Sequence, residues 1–356
     1  MNCPECQAKN PENALFCNVC GERLAKRSFW KRYKKWIAGL AIFFFLVIVP
    51  GTLLLLGLGV VGVLVSGEDR TNQVVVSGSG NAKIALINLD GVILDKAPVG
   101  GLGFSEEVVS ARKIKKTLSE IAGDGAVKAL LLRVNSPGGS AAASEEIYRE
   151  ILDFKARYRL PVVAYFSDLA ASGGYYVAMP ADKIVANPSA ITGSIGVIIS
   201  YLNFGDLAEK YGVKSVVYKS GKHKDLLSEF REPDDEERLI LQGVVEDSFD
   251  NFVGVVARGR KMERSAVGVL ADGRVFSAAG AKDAGLVDEI GTFEDAVTLT
   301  RSLAGIREAS VIEFGGKGLW ESILEGTAGK FNTSLLPGMG TWPFGGGRGL
   351  LYLYNP

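Results

Sequence analysis

Thirty-two consecutive residues without a charge, Trp36 to Gly67, divide this chain of 356 residues into two unequal parts. The run is rich in Leu, Val, Ile and Phe, and about 20 such residues cross a bilayer as a helix. It predicts a transmembrane helix over 36–66, with Pro50-Gly51 as a kink or a break. A cleaved signal peptide is the competing reading. It is disfavoured by the length of the run and by the cysteine-rich segment that precedes it. Residues 23–35 carry seven Lys or Arg and no acid, whereas the other flank begins Glu68-Asp69-Arg70. By the positive-inside tendency, the N-terminus is expected in the cytoplasm. The larger C-terminal part is then expected outside it, anchored to the cell membrane by a single pass.

All four cysteines lie in the first 20 residues, as C-P-E-C (Cys3, Cys6) and C-N-V-C-G (Cys17, Cys20). Two C-x2-C knuckles this close can set four thiolates around one zinc ion. So short a segment buries no core, so the metal would supply its folding free energy. A pair of disulfides and a rubredoxin-like iron site are the alternatives. Reduced, zinc-bound thiols suit a cytoplasmic N-terminus, and the part expected outside has no cysteine. The chain carries 40 basic and 40 acidic residues. That balance gives no reason to expect nucleic acid as a partner.

After a polar stretch at 70–82, apolar runs and amphipathic stretches alternate. Strands are expected at Lys83–Ile93, Val127–Val134, Pro161–Phe166, Lys183–Ala186, Val197–Ser200 and Lys214–Tyr218. Helices are expected at Glu106–Ala122, Ala141–Tyr158, near Phe204–Tyr211 and from Pro233 to Lys261, the last opening on an acidic turn. This alternation predicts an α/β fold with mostly parallel strands. The organisation reads as a zinc-ribbon-like module (1–24), a basic juxtamembrane segment (25–35), the transmembrane helix (36–66), a linker (67–82), a main domain (83–305) and a Gly-rich tail (306–356). The tail has no clear period and reads as weakly ordered, docking on a groove or at the membrane surface.

Three Gly-rich junctions each follow an apolar run: Asn135-Ser136-Pro137-Gly138-Gly139-Ser140, Ala170-Ala171-Ser172-Gly173-Gly174, and Thr192-Gly193-Ser194-Ile195-Gly196. Ser172 is the attractive nucleophile. It stands at a helix start, where positive potential favours a developing oxyanion, and small neighbours let a carbonyl approach. The N–H groups of Gly139 and Gly173 could form the oxyanion hole. The plainer reading makes Ser172 a helix N-cap. The chain has one histidine, His223, so any histidine triad must use it and a His-rich metal site is excluded. Lys224 stands beside it in Lys219-Ser220-Gly221-Lys222-His223-Lys224-Asp225. A lysine serves as a base only when neutral, which burial in an apolar site promotes. A hydroxyl such as Ser194 could orient the amine. Composition and spacing leave His223 and Lys224 open, and a solvated basic loop is the plainer reading of the segment. There is no G-x-x-x-x-G-K-[ST], and no G-x-G-x-x-G after the first strand, so nothing here points to nucleotide binding.

Together these segments resemble the signal peptide peptidase A family of serine peptidases, related to the Clp protease and crotonase folds. The matching pieces run in the family's order: R-V-N-S-P-G-G (Arg133–Gly139), A-A-S-G-G-Y-Y (Ala170–Tyr176), A-D-K-I-V-A-N-P (Ala181–Pro188), T-G-S-I-G-V (Thr192–Val197), K-S-G-K-H-K-D (Lys219–Asp225), A-D-G-R-V-F (Ala271–Phe276) and A-K-D-A-G-L-V-D-E-I-G (Ala281–Gly291). The resemblance implies a spiral of ββα units. It also implies Ser172 as nucleophile, Lys224 as general base, Ser194 as the group that holds the lysine, and Gly139 and Gly173 as oxyanion donors. His223 is then a bystander. This is the single-repeat form, for which the resemblance implies serine and lysine from different subunits and a homo-octamer. The expected activity is endopeptidase cleavage of signal peptides or other membrane-associated peptides, with no catalytic cofactor. The zinc module, outside the family's core pattern, is expected to dock a cytoplasmic partner. A crotonase-like acyl-CoA enzyme and a non-catalytic membrane scaffold are the other function classes; acyl-CoA is cytoplasmic, which counts against the first.

Overall fold

The computed structural model describes residues 1–12, 14–24, 43–50, 73–95, 108–314 and 351–353. By internal contacts the chain forms two units, Met1–Arg70 and Thr71–Pro356. In the first, two short bridges, Asn2 with Lys9 and Phe16 with Arg23, each close one cysteine knuckle. The expected transmembrane helix lies mostly outside the described residues. Its described piece, 43–50, is helical, and Phe43 to Val47 are exposed. Among the described residues no helix is long and apolar enough to cross a membrane.

In the second unit the elements follow in the order β1 (Val74–Ser77), β2 (Lys83–Asp90), β3 (Val92–Ile93), β4 (Val108–Val109), α1 (Ala111–Ala122), β5 (Val127–Ser136), β6 (Gly138–Ser140), α2 (Ala141–Tyr158), β7 (Val162–Ala171) and α3 (Gly173–Val177). There follow β8 (Lys183–Ala186), β9 (Ile191–Gly193), α4 (Gly205–Lys210), α5 (Asp235–Arg260), α6 (Arg264–Leu270), β10 (Val275–Ser277), α7 (Ala278–Asp283), β11 (Glu289–Ile290), α8 (Phe293–Leu303), β12 (Ser310–Glu313) and β13 (Leu351–Leu353). The main sheet runs β1-β12-β2-β5-β7-β8-β11, with β9 beside the end of β7 and β10 on β9. Strands β12, β2, β5, β7, β8 and β11 are parallel neighbours. This is the α/β architecture that the alternation predicts.

The central strands are near-continuous apolar runs because both sheet faces are covered. Ala85, Ile87, Leu130, Leu132, Ala164 and Phe166 pack on one side with Ile114, Leu118, Ile147 and Ile151 of α1 and α2. Their alternates Ile84, Leu86, Leu131, Val163 and Tyr165 pack on the other side with Ala296 and Val297 of α8. The period of two in a strand sends successive residues to opposite faces.

Several boundaries differ from the expectation. Strand β1 falls inside 67–82, read as a linker, and β12 inside 306–356, read as a tail; they pair antiparallel at the sheet edge. Within the tail, Leu351–Leu353 pair antiparallel with β6. The strands expected at Val197–Ser200 and Lys214–Tyr218 do not form. A short apolar run has no fixed structure without a neighbouring strand to complete its ladder. Here Val216, Val217 and Tyr218 lie exposed, Tyr218 at 96%. Helix α5 buries Phe252 to Ala257 near its C-terminal end, yet Glu237 alone in its N-terminal half. Residues 197–245 thus form an arm with little core of its own.

Candidate functional site

Strand β7 delivers Ser172 at the point where the chain turns into α3. Its backbone has φ 53° and ψ −114°, a conformation that costs a non-glycine residue roughly 1–3 kcal/mol. The surroundings impose it. Its N–H donates to the carbonyl of Gly193 at 2.8 Å, and its own carbonyl accepts from the N–H of Tyr176 at 2.9 Å. The side chain is 1% exposed, and among the described residues Oγ has no hydrogen-bond partner. Ser172 occupies the N-cap position of α3 but makes no capping bond, so the plainer reading of this residue fails. A buried hydroxyl left unpaired costs about 1–3 kcal/mol.

The three Gly-rich junctions converge here. A Cβ on Gly174 would lie 2.6 Å from the carbonyl oxygen of Ser136, and one on Gly139 would lie 2.1 Å from that of Ile93. Backbone on backbone at that distance admits no larger residue. Strands β7 and β9 run parallel with Ala171 opposite Gly193, and Thr192 Oγ1 donates to the carbonyl of Ala170 at 2.7 Å. Ser172 and Ser194 therefore leave adjacent strand ends. Ser194 is buried with φ 51°, and its N–H donates to the carbonyl of Arg274 at 2.8 Å. Gly139 lies at the middle of β6, between β3 and β13. Gly173 begins α3 directly after Ser172.

Lys224 makes no hydrogen bond to Ser172 within the chain. It is exposed, on the arm, and Ser172 Oγ bonds to nothing. His223 faces the first turn of α5, with Nε2 3.3 Å from Glu236 Oε1 and Nδ1 3.7 Å from Glu237 Oε1. Beside them stand two residues the sequence reading passed over, Arg231 and Glu237. The guanidinium of Arg231 draws the Glu237 carboxyl down to about 2, although its burial opposes this. It also holds Asp225, with help from Lys219, well below the usual carboxylate range. No motif of the sequence marks Arg231; only its contacts do.

In the first unit, Cys3, Cys6, Cys17 and Cys20 place their sulfurs within 4.8 Å of one another. Cys3 and Cys20 Sγ are 3.6 Å apart, Cys6 and Cys17 Sγ 3.4 Å. A tetrahedral zinc with Zn–S near 2.3 Å spaces its thiolates about 3.8 Å apart, whereas a disulfide needs about 2.05 Å. All four are free thiols, so the disulfide alternative is not realised. The N–H groups of Cys20 and Val19 turned toward Cys17 lower its thiol to about 6, whereas the neighbouring sulfurs and burial raise Cys6 and push Cys20 up to about 12. The two knuckles repeat the same turn. The N–H of Gln7 donates to the carbonyl of Cys3, and that of Gly21 to Cys17, both at 3.0 Å. The donor set fits zinc.

The peptidase family S49 profile matches residues 155–307, and a zinc-ribbon domain profile matches residues 2–24. A protein of Enterococcus faecium that carries the name signal peptide peptidase SppA is 40% identical over 256 residues, 72% of this chain and 74% of that protein. The chloroplastic serine protease SPPA of Arabidopsis thaliana is 33% identical over 228 residues, 64% of this chain and 33% of that protein. Among solved structures, a ClpP1 mutant of Listeria monocytogenes matches with 17% identity and a TM-score of 0.38, covering 60% of this chain and 94% of that one.

Proposed function

The chain belongs to peptidase family S49 and is a serine peptidase with an N-terminal zinc ribbon, and from that premise we propose a membrane-anchored endopeptidase that works through a Ser172–Lys224 dyad. Its substrates are signal peptides and other membrane-associated peptides. The observation that carries the reading is Ser172 itself: a buried, unpartnered hydroxyl on a strained residue, among three glycine junctions. Strain and an unpaired polar atom persist where the surroundings impose them, and such sites are characteristic of nucleophiles.

In the reaction, Ser172 Oγ attacks the scissile carbonyl carbon and gives its proton to the neutral amine of Lys224. The oxyanion lies against the N–H groups of Gly139 and Gly173. Collapse of the tetrahedral species passes that proton to the departing amine and leaves an acyl-enzyme on Ser172. Water then attacks, with Lys224 again as the base, and the acid departs. Ser194, on the strand end beside Ser172, orients the lysine. An extended peptide lies antiparallel along β6, adding a strand as β13 does. The fold is a Clp-like spiral.

Lys224 comes from a neighbouring copy. Its exposure and the unpaired hydroxyl of Ser172 support this, as does the apolar surface of the arm, which includes Leu207, Tyr211, Val213 and Tyr218. The assembly is an octamer. Residues 36–66 anchor it, with the ribbon in the cytoplasm docking a partner and the peptidase part outside. In the ribbon, Cys3, Cys6, Cys17 and Cys20 would hold zinc, which supplies folding energy to that module and no catalytic chemistry.

Labelling by a serine-reactive fluorophosphonate tests the dyad. Ser172→Ala and Lys224→Ala are each expected to abolish labelling and peptide cleavage, and His223→Ala to retain most of both. A folded, assembled His223→Ala chain without activity would overturn the lysine assignment.

A further inference from the structure

The turn that bears Lys224 is held by more than its own backbone. Asp225 follows Lys224 directly. Lys219 Nζ lies 2.6 Å from Asp225 Oδ1 and donates to the carbonyl of Lys222 at 2.8 Å, which closes the turn on itself. Arg231 forks onto the other side of the same carboxylate, Nη2 to Oδ1 at 2.8 Å and Nε to Oδ2 at 3.2 Å. Its guanidinium forks again onto Glu237, Nη2 to Oε1 at 2.6 Å and Nη1 to Oε2 at 2.7 Å. Glu237 is 1% exposed, and its Oε2 also accepts from the N–H of Asp234 at 3.0 Å in the capping box of α5. One planar cation thus bolts the lysine-bearing turn to the start of the longest described helix.

The charges matter as much as the geometry. A free carboxylate next to an amine favours the ammonium, which is useless as a base. Four acids on this turn and at the start of α5 are committed elsewhere. Asp225 is shared by Lys219 and Arg231, Glu237 is taken by Arg231, and Asp234 and Glu236 pair with Lys222. His223 lies between Glu236 and Glu237. Bidentate geometry on two carboxylates at once is available to arginine and not to lysine.

We propose that Arg231 is a positioning residue of the peptidase reaction: it fixes the Lys219–Asp225 turn on α5 and takes up the charge of Asp225, so that the Lys224 amine is presented in one place with no free carboxylate beside it. The inference rests on the reading of Lys224 as the base.

The test uses the full-length chain assembled in detergent, with both the rate and the final extent of fluorophosphonate labelling measured. Arg231→Ala is expected to reach the same final extent at a rate ~10- to 100-fold lower. A variant that only unfolds would lose extent. The double variant Arg231→Ala with Asp225→Asn is expected to label several-fold faster than Arg231→Ala alone, because the carboxylate charge that Lys219 alone would then hold beside Lys224 is gone. Arg231→Lys keeps a charge near Glu237 and protects the fold, yet is expected to label about tenfold slower than the parent. It decides the matter should Arg231→Ala not assemble. Parent-rate labelling of Arg231→Lys, or no gain from Asp225→Asn, would sink the proposal. Lys224→Ala separates the two claims. If it labels at the parent rate, the dyad reading fails; if it does not label while the Arg231 variants label normally, only the clamp fails.

Discussion

At Ser172 the chain accepts two local costs, a left-handed backbone and an unpaired buried hydroxyl. Glycine relieves the first. Ser172→Gly and Ser172→Ala are both expected to be inactive, but the glycine variant is expected to be more stable by about 1 kcal/mol, because strain relief exceeds the entropy glycine loses on folding. Chemical denaturation of the two variants reads the difference. Equal midpoints would mean that the backbone at 172 is not strained. Gly174 makes the complementary case. Its added methyl would meet the Ser136 carbonyl oxygen at 2.6 Å. Gly174→Ala is therefore expected to push α3 away from the Pro137-Gly138-Gly139 turn, lowering stability by roughly 1–3 kcal/mol and abolishing labelling at Ser172.

Among the elements, the arm between β9 and the middle of α5 is the least supported by the core, and it is anchored by charge. The folded-state pKa of Glu237 is about 2, below the ordinary carboxylate value near 4.3. A depressed acid contributes stability above its unfolded value and loses it as pH falls through the folded one. The arm is thus expected to hold above about pH 4 and to loosen progressively toward pH 2. Hydrogen exchange across 219–240 measures this, with β5 and β7 as the protected reference. Glu237→Gln is expected to loosen the arm already at neutral pH. The tail strand β13 gives a second element-scale expectation. Removing residues 351–356 frees the outer edge of β6, and labelling of Ser172 is expected to accelerate.

For the whole molecule, the proposed dyad between neighbouring copies has a direct consequence. Mixed assemblies of inactive Ser172→Ala and inactive Lys224→Ala chains are expected to recover about a quarter of parental activity, since one site in four pairs an intact serine with an intact neighbouring lysine. A dyad within one chain would recover none. The zinc ribbon is a separate unit. Chelation is expected to unfold residues 1–24, seen as loss of their amide protection, while Ser172 in the assembled peptidase labels as before.

The α/β class, the parallel core and the cysteine cluster could be read from the chain, because each rests on local pattern. Buried parallel strands are apolar runs, knuckles are C-x2-C, and tight junctions are Gly-rich. His223 and Lys224 stayed level on chemistry, and motif order alone favoured the lysine. The strands expected at Val197–Ser200 and Lys214–Tyr218 failed for a related reason. Among the described residues they form no strand ladder, with a bridge at Ile198 alone, and a local pattern does not say where a surface will be covered. Only the tertiary structure placed Ser194 on the strand end beside Ser172 and Lys224 on an exposed turn of the arm. It also brought Arg231, six residues from each carboxylate, between Asp225 and Glu237. Long-range pairing and charge networks are set by how elements meet in space, and no spacing along the chain encodes that. The uncharged run Trp36–Gly67, by contrast, divides the chain through composition alone, because transfer of apolar side chains from water depends on what they are rather than on what they touch.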